Sequence, residues 1–425
     1  MSKLAKIWQF KDLRNKILYA AGLLLLTRVV AHIPLPGVDL AQLRLFFEQN
    51  QIFGLLNMFS GGTMSNFSIV LMGVGPYITS SIVFQLLVMV VPRLEEMQKE
   101  GEAGRNKINQ YTRIATIPFA VIQAYSMLVL LQNQGIIPGW TSFDLALMLI
   151  SSAAGTILLM WLGELITEKG IGNGISLIIT LGILSGFPSQ IRNTWALMQG
   201  GDIGTIIGVA AFLVIFIVVI AAIVYITEGQ RNIPVSYARQ VSGNRSHGGV
   251  DSHLPLRVNT AGVIPIIFAM SVLIVPGVVG KYLENANTEW VRNAAVYTVD
   301  LFQNNQVFYG VIYFVLVFAF TFFYTNVVFK PDQVAENLQK QGGFIPGLRP
   351  GEETRLFLKK VISRITFFGG LFLGIVAVLP FIVQAITNID TLVLGGTGLL
   401  ILVSVVIETM KQIDAQLVMH TYDKY

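Results

Sequence analysis

The chain has 425 residues, 53% of them hydrophobic and only 12% charged, with a formal net charge of +5. A soluble domain carries about 25% charged residues, so a solvated globular enzyme, a disordered tail and a fibre are excluded, and an integral membrane protein is expected. Cys is absent and His occurs four times, which removes disulfides and thiolate sites, and neither a metal nor a cofactor is expected.

Ten apolar runs follow in chain order, at 17–34, 72–92, 112–132, 144–166, 171–190, 204–227, 260–280, 307–329, 361–386 and 392–412. Each approaches the roughly 20 residues with which an α-helix crosses a bilayer. The basic start (Lys3, Lys6, Lys11, Arg14, Lys16) enters the first run without a small-residue cleavage pattern, so no cleavable signal peptide is expected. With the N-terminus cytoplasmic, 24 of the 29 Lys and Arg fall on cytoplasmic segments. Only Arg44, Arg192, Lys281 and Arg292 fall outside, with Arg28 inside the first run. That bias predicts both termini in the cytoplasm. Two cytoplasmic loops, 228–258 and 330–360, are longer than simple connections. The outer stretch 35–71 is neither clearly polar nor apolar for long enough to span.

Ionisable groups are scarce within the runs. Glu164, Glu228 and Glu408 sit toward cytoplasmic ends, and no Asp, Glu, Lys or His falls at mid-bilayer depth. This disfavours an inverted-repeat secondary transporter, which would use such groups for coupling. A membrane-embedded enzyme would need a convergent Ser/His or Asp/Asp pair, yet His32, His247, His253 and His420 lie at run ends or in loops. The phosphate-binding pattern G-x-x-x-x-G-K-[ST] does not occur. Thr79, Ser80, Ser81, Gln85, Gln123 and Asn259 are neutral polar residues within or opening the runs. They suit hydrogen bonds between helices, or a polar seam along which helices part. Gly370 and Gly374 form a close-packing G-x-x-x-G, and Gly170 to Gly174 form a tight cytoplasmic turn.

Motif strings then accumulate in order: Pro34-Leu-Pro-Gly-Val-Asp39, Asn57-Met-Phe-Ser-Gly-Gly62, Gly75-Pro-Tyr-Ile-Thr-Ser-Ser-Ile82, Gln85-Leu-Leu87, Trp161-Leu-Gly-Glu164, Gly170-Ile-Gly-Asn-Gly-Ile-Ser176 and Ile233-Pro-Val-Ser-Tyr-Ala238. His253-Leu-Pro-Leu-Arg-Val-Asn259, Ala261-Gly-Val-Ile-Pro265, Ala335-Glu-Asn-Leu338, Gln341-Gly-Gly-Phe-Ile-Pro-Gly347, Arg349-Pro-Gly351 and Gly395-Gly-Thr397 complete the set. Nearly end to end, the sequence resembles the SecY family of protein-conducting channel subunits.

The resemblance implies an all-α membrane protein of ten transmembrane helices. They form two inverted, pseudo-symmetric five-helix halves around a central pore, with a short plug helix. The halves are expected at residues 1–195 (spans 1–5, plug about 55–66) and 196–425 (spans 6–10 and both cytoplasmic loops). An odd number of spans per half gives the halves opposite topology, as an inverted repeat requires. The implied function is passage of unfolded secretory polypeptides across the membrane, with lateral release of signal sequences or membrane helices into lipid. No enzymatic activity is implied.

By motif position the resemblance assigns a pore ring to Val74, Ile78, Ile179, Ile183, Ile267 and Ile401. A narrow apolar ring loses water and so blocks ions. Val74/Ile78 and Ile179/Ile183 are i, i+4 pairs, each on one helix face. Val74 stands where the family more often has Ile, which loosens the ring slightly. Leu55, Asn57, Phe59, Gly61 and Gly62 belong to the implied plug, with the glycines as hinges. Gln85, Gln123 and Asn259 fall on an implied lateral gate between spans 2 and 3 on one side and 7 and 8 on the other. Each hydrogen bond there is worth roughly 0.6 to 2 kcal/mol, little beside the ~0.8 kcal/mol per buried CH₂ of an entering apolar helix. Arg231, Arg239, Arg245, Arg349 and Arg355 are the implied docking residues for the SecA ATPase or the ribosome, Arg349 foremost. The tip Arg239 to Gly249 is less basic than the family leads one to expect, which weakens the ribosome reading. SecE-like and SecG-like small membrane subunits, signal peptides, unfolded preproteins and the lipid bilayer complete the implied partners. The implied location is the bacterial cell (inner) membrane.

Overall fold

The computed structural model describes residues 8–35, 43, 60, 62–133, 135–137, 139–199, 203–237, 241–242, 245–246, 251–283, 288–387 and 396–422. A helix overlies each of the ten predicted runs. These helices are α1 (Lys11–Ala31), α2 (Gly75–Val90), α4 (Glu102–Asn133), α5 (Ser142–Lys169), α6 (Gly174–Gln199), α7 (Ile203–Glu228), α8 (Ile264–Leu283), α10 (Gln306–Val328), α12 (Glu352–Thr387) and α13 (Gly396–Tyr422). Three shorter helices join them: α3 (Pro92–Lys99), α9 (Glu289–Val299) and α11 (Pro331–Lys340). Among the described residues, α4, α5, α7, α10 and α12 contain segments long and apolar enough to cross a bilayer alone. The pair α2–α3 makes a sixth if it is one bent span. Shorter apolar stretches lie at Gly174–Pro188 in α6 and Ile264–Gly277 in α8. The chain is thus a mainly helical, multi-pass membrane protein.

The second span is shorter than predicted. Residues 71–74 are turns, and the helix starts only at Gly75 with Pro76 in its first turn. Val91 is extended, with φ −100° and ψ 108°, because Pro92 drives the residue before it out of the α region. The chain bends there by 99° into α3. The 16 residues of α2 therefore reach about 24 Å, less than a ~30 Å hydrocarbon core.

The described residues divide into two compact units. The first comprises Met1–Asp202, Val278–Val296 and Val405–Tyr425. In it, the turn between α5 and α6 is built by local necessity. The Gly172 N–H donates to Gln412 Oε1 (2.9 Å), and the Gly174 N–H donates to Thr167 Oγ1 (2.8 Å). A Cβ on Gly174 would lie 1.9 Å from the Gly163 carbonyl oxygen, so this turn closes only around glycine. At the other end of α5, Thr141 and Asp144 form a reciprocal capping box.

The second unit comprises Ile203–Gly277 and Tyr297–Ser404. Its helices α10 and α12 pack closely: Gly370 faces the ring of Phe318, and Gly374 faces that of Phe314. The predicted G-x-x-x-G is a pair of seats for aromatic rings. The wholly helical expectation needs one addition, because both long loops expected on the cytoplasmic side fold. β1 (Gln230–Tyr237) pairs antiparallel with β4 (Asp251–Arg257) and with β5 (Gly343–Phe344), in the order β4-β1-β5. A two-stranded ribbon, β2 (Val241–Ser242) with β3 (Arg245–Ser246), lies between β1 and β4 in sequence. Ile233 and Val235 alternate with exposed neighbours along β1, as a strand with one buried face requires. With Leu256, Leu338, Ile345, Leu358, Val361 and Ile362 they form a small core that joins the sheet to α11 and the start of α12.

Candidate functional site

The residues predicted for the ring lie at helix starts or within helices, four of them buried. Val74 caps α2, its carbonyl accepting the Ile78 N–H at 3.1 Å, so the two side chains stack on one face. Val74, Ile179, Ile183 and Ile401 are buried, at 2%, 4%, 2% and 1% exposure, whereas Ile78 and Ile267 are half-buried. All six are aliphatic and make no hydrogen bonds through their side chains. Each offers only dispersion and water exclusion, the chemistry a dewetting constriction uses.

Of the predicted plug residues, Leu55, Asn57, Phe59 and Gly61 lie outside the described residues; Gly62 is described, with φ +76°. The chain just beyond Gly62 is firmly held. Thr63 Oγ1 donates to the Ser60 and Leu71 carbonyls, and Ser68 Oγ donates to the Val30 carbonyl at the end of α1. The Ile69 N–H reaches the Ile33 carbonyl at 3.0 Å. Phe67 is fully buried with φ +43°, a left-handed conformation that costs a non-glycine residue on the order of 1–3 kcal/mol. Packing against Leu35, Met64, Leu71, Leu128 and Leu131 in one core holds it there.

The gate residues differ in their partners. Gln123 Nε2 on α4 donates to Thr79 Oγ1 on α2 at 3.1 Å. Ser80 Oγ adds a second tie, donating to the Thr112 carbonyl at 2.7 Å. Both bonds lie within one side of the expected gate. Gln85 Nε2 donates to Ser81 Oγ on its own helix at 3.2 Å. Asn259 is buried, and its Oδ1 has no hydrogen-bond partner among the described residues.

The residues predicted for docking separate by environment. Arg231 is exposed on β1 and Arg349 is exposed on the segment before α12. Arg239 lies outside the described residues, and Arg245 falls on β3. Arg355 is committed within the fold: its guanidinium pairs with Asp332 of α11 at 3.1 Å and with both carboxylate oxygens of Glu352. Those hydrogen bonds hold the Glu352 carboxyl below its usual range. The i, i+3 spacing of Glu352 and Arg355 signals half of this clamp in the sequence, but nothing there pairs Arg355 with Asp332. Arg349 directly follows a built turn. Ile345 accepts the Leu348 N–H at 3.0 Å across Pro346-Gly347, with Gly347 at φ +86°, the signature of a type II turn.

Comparison with known proteins places these residues in context. Residues 68–410 match the sequence model of the SecY family. The protein translocase subunit SecY of Halalkalibacterium halodurans is 41% identical over 427 residues, covering 99% of this chain and 98% of that protein. SecY of Mycobacterium tuberculosis is 40% identical, with 97% of each chain covered. SecY of Streptomyces scabiei is 38% identical, with 100% of this chain and 99% of that protein covered. Among solved structures, one described as a protein conducting channel superposes with a TM-score of 0.64 at 19% identity, covering 94% of this chain and 91% of that one. Sec61 in a canine ribosome–channel complex gives 0.62 at 18% identity, with the same coverage. Full-length identity of this order, carried by the same helical fold, establishes that the chain belongs to the SecY family, the non-enzymatic channel subunits of protein translocases.

Proposed function

We propose that this channel subunit seals and opens by the parts its sequence assigns. Val74, Ile78, Ile179, Ile183, Ile267 and Ile401 form the resting ion barrier, and the segment near 55–66 seats outside it as a plug. The two halves, 1–195 and 196–425, part along a gate bearing Gln85, Gln123 and Asn259 to release signal sequences into lipid. The location is the bacterial inner membrane, with both termini cytoplasmic, and SecE-like and SecG-like subunits accompany the channel. The observation that supports this reading is the full-length match to SecY proteins. A photocrosslinker at Ile179 or Ile401 should capture a secretory chain arrested in transit. Absence of adducts at both positions, with adducts at lipid-facing sites instead, would overturn the ring.

The channel has no motor of its own, so the driving force enters at the cytoplasmic loops. Arg349 is the leading docking residue for the SecA ATPase. It is exposed, and its forked guanidinium suits a carboxylate on the motor. Arg231, Arg239, Arg245 and Arg355 are the further docking residues of this reading, with the ribosome as the alternative occupant. Membrane vesicles carrying Arg349→Glu should lose SecA-driven export while retaining assembled channel. Normal export from such vesicles would refute the assignment.

A further inference from the structure

The backbone around Arg349 is gripped from both sides by two consecutive side chains of the following helix. Glu353 Oε2 accepts the Arg349 N–H at 3.1 Å. Thr354 Oγ1 donates to the Arg349 carbonyl at 3.0 Å. Thr354 is 2% exposed, so its hydroxyl has no water to exchange with, and the Arg349 carbonyl is its partner. The Gly351 carbonyl accepts the Arg355 N–H at 3.0 Å, and Gly351 itself has φ +102°, a conformation that only glycine adopts without strain. Upstream, the type II turn at 345–348 is anchored by Ile345, which is buried in the core beneath the sheet. Downstream, Arg355 ties the start of α12 to Asp332 of α11. Arg349 therefore stands on a fixed segment between two anchored ends, with its side chain in solvent.

We propose that Glu353 and Thr354 are positioning residues for docking: they lock the peptide groups on both sides of Arg349 so that its guanidinium meets the motor's carboxylate already oriented. The proposal rests on the docking role of Arg349 stated above. A flexible Arg349 would lose conformational freedom at each encounter; the two hydrogen bonds remove that loss beforehand. Two neighbours on one helix turn do this because the chain reverses through Pro350-Gly351 and brings residue 349 back over the helix start.

The test measures the SecA concentration that half-saturates preprotein-stimulated ATP hydrolysis on inverted vesicles holding the assembled channel. Thr354→Val keeps the shape and removes the donor, and Glu353→Ala removes the acceptor at an exposed site. Each should raise the half-saturating concentration by roughly threefold to tenfold, the factor carried by one lost hydrogen bond, with the maximal rate kept. Thr354→Ser should restore wild-type saturation. In an Arg349→Ala background neither substitution should add anything, because both act through Arg349. Wild-type saturation in Thr354→Val and Glu353→Ala, beside weakened Arg349→Ala, overturns the positioning role and leaves the docking role standing. Full additivity with Arg349→Ala also overturns it, as the signature of general destabilisation. Wild-type saturation in Arg349→Ala itself removes the docking role, and this proposal with it.

Discussion

Nε of Arg113 lies 2.6 Å from Oε1 of Glu164, an ion pair that joins α4 to α5. The side chains are 47% and 24% exposed, so solvent screens the pair only in part. A double-mutant cycle with Arg113→Gln and Glu164→Gln should give a coupling of about 1 kcal/mol, the upper range for partly exposed pairs. The same cycle on Lys99 and Glu95, an exposed pair within one helix, should give less than half of that. Thermal unfolding of the purified channel reads both cycles. Equal couplings would show that α4 and α5 do not depend on this bridge.

The α10–α12 contact makes a steric prediction. A Cβ on Gly374 would stand 2.7 Å from two ring atoms of Phe314, and a flat ring cannot give way as a flexible chain end can. Gly374→Ala should therefore destabilise by about 1–3 kcal/mol, the usual penalty for overpacking a filled interior. Gly186→Ala, where an added methyl meets nothing within 4 Å, should be nearly silent. Recovery of stability in Gly374→Ala with Phe314→Leu would identify the ring as the obstacle. A neutral Gly374→Ala would disprove the seat.

These two contacts differ in how far the sequence announced them. The glycine spacing at 370 and 374 pointed to close packing before any partner was known, because a missing side chain leaves a mark on its own helix. The Arg113–Glu164 bridge left none, since its members are 51 residues apart and no local period connects them. The helices followed from run length and Lys/Arg bias. The end of α2 at Val90 was encoded by Pro92 yet hidden inside a continuous apolar run. The sheet went unread although Ile233 and Val235 stand two apart between Asn232 and Ser236. Two short strands 14 residues or more apart say nothing of pairing until the long loop between them closes. The ring is the opposite case: aliphatic residues are too common here for any period to single out six of them, and only the resemblance at motif positions suggests them.

Across α2 and α4, the Gln123–Thr79 bond makes a prediction about gating. Because it lies within one side of the proposed gate, losing it should loosen that side without removing a latch between sides. Gln123→Leu and Thr79→Val should each shift the minimum signal hydrophobicity for export by the ~0.6 to 2 kcal/mol of one such bond. That corresponds to one or two CH₂ groups. The double variant should match the single ones, because one bond is lost in each case. Asn259→Leu, which removes a buried Oδ1 with no partner among the described residues, should act independently of both. Export of a graded set of signal sequences measures the shift, and unchanged thresholds in all the variants would dissociate these residues from the gate.

The ring makes the sharpest electrical prediction. Ile183 is 2% exposed and sits one turn from Ile179 on α6, so in the proposed ring an acidic group there would wet the constriction. Ile183→Asp should raise the resting ion conductance of reconstituted channels well above wild type. Ile183→Leu, which preserves apolar volume, should leave it low. Ile191, on the same helix but 64% exposed, controls for general damage: Ile191→Ser should not leak. Planar-bilayer recording without a translocating chain gives the readout. A tight Ile183→Asp channel that still assembles would place the ion barrier elsewhere, because no pore lined there by a carboxylate could remain dry.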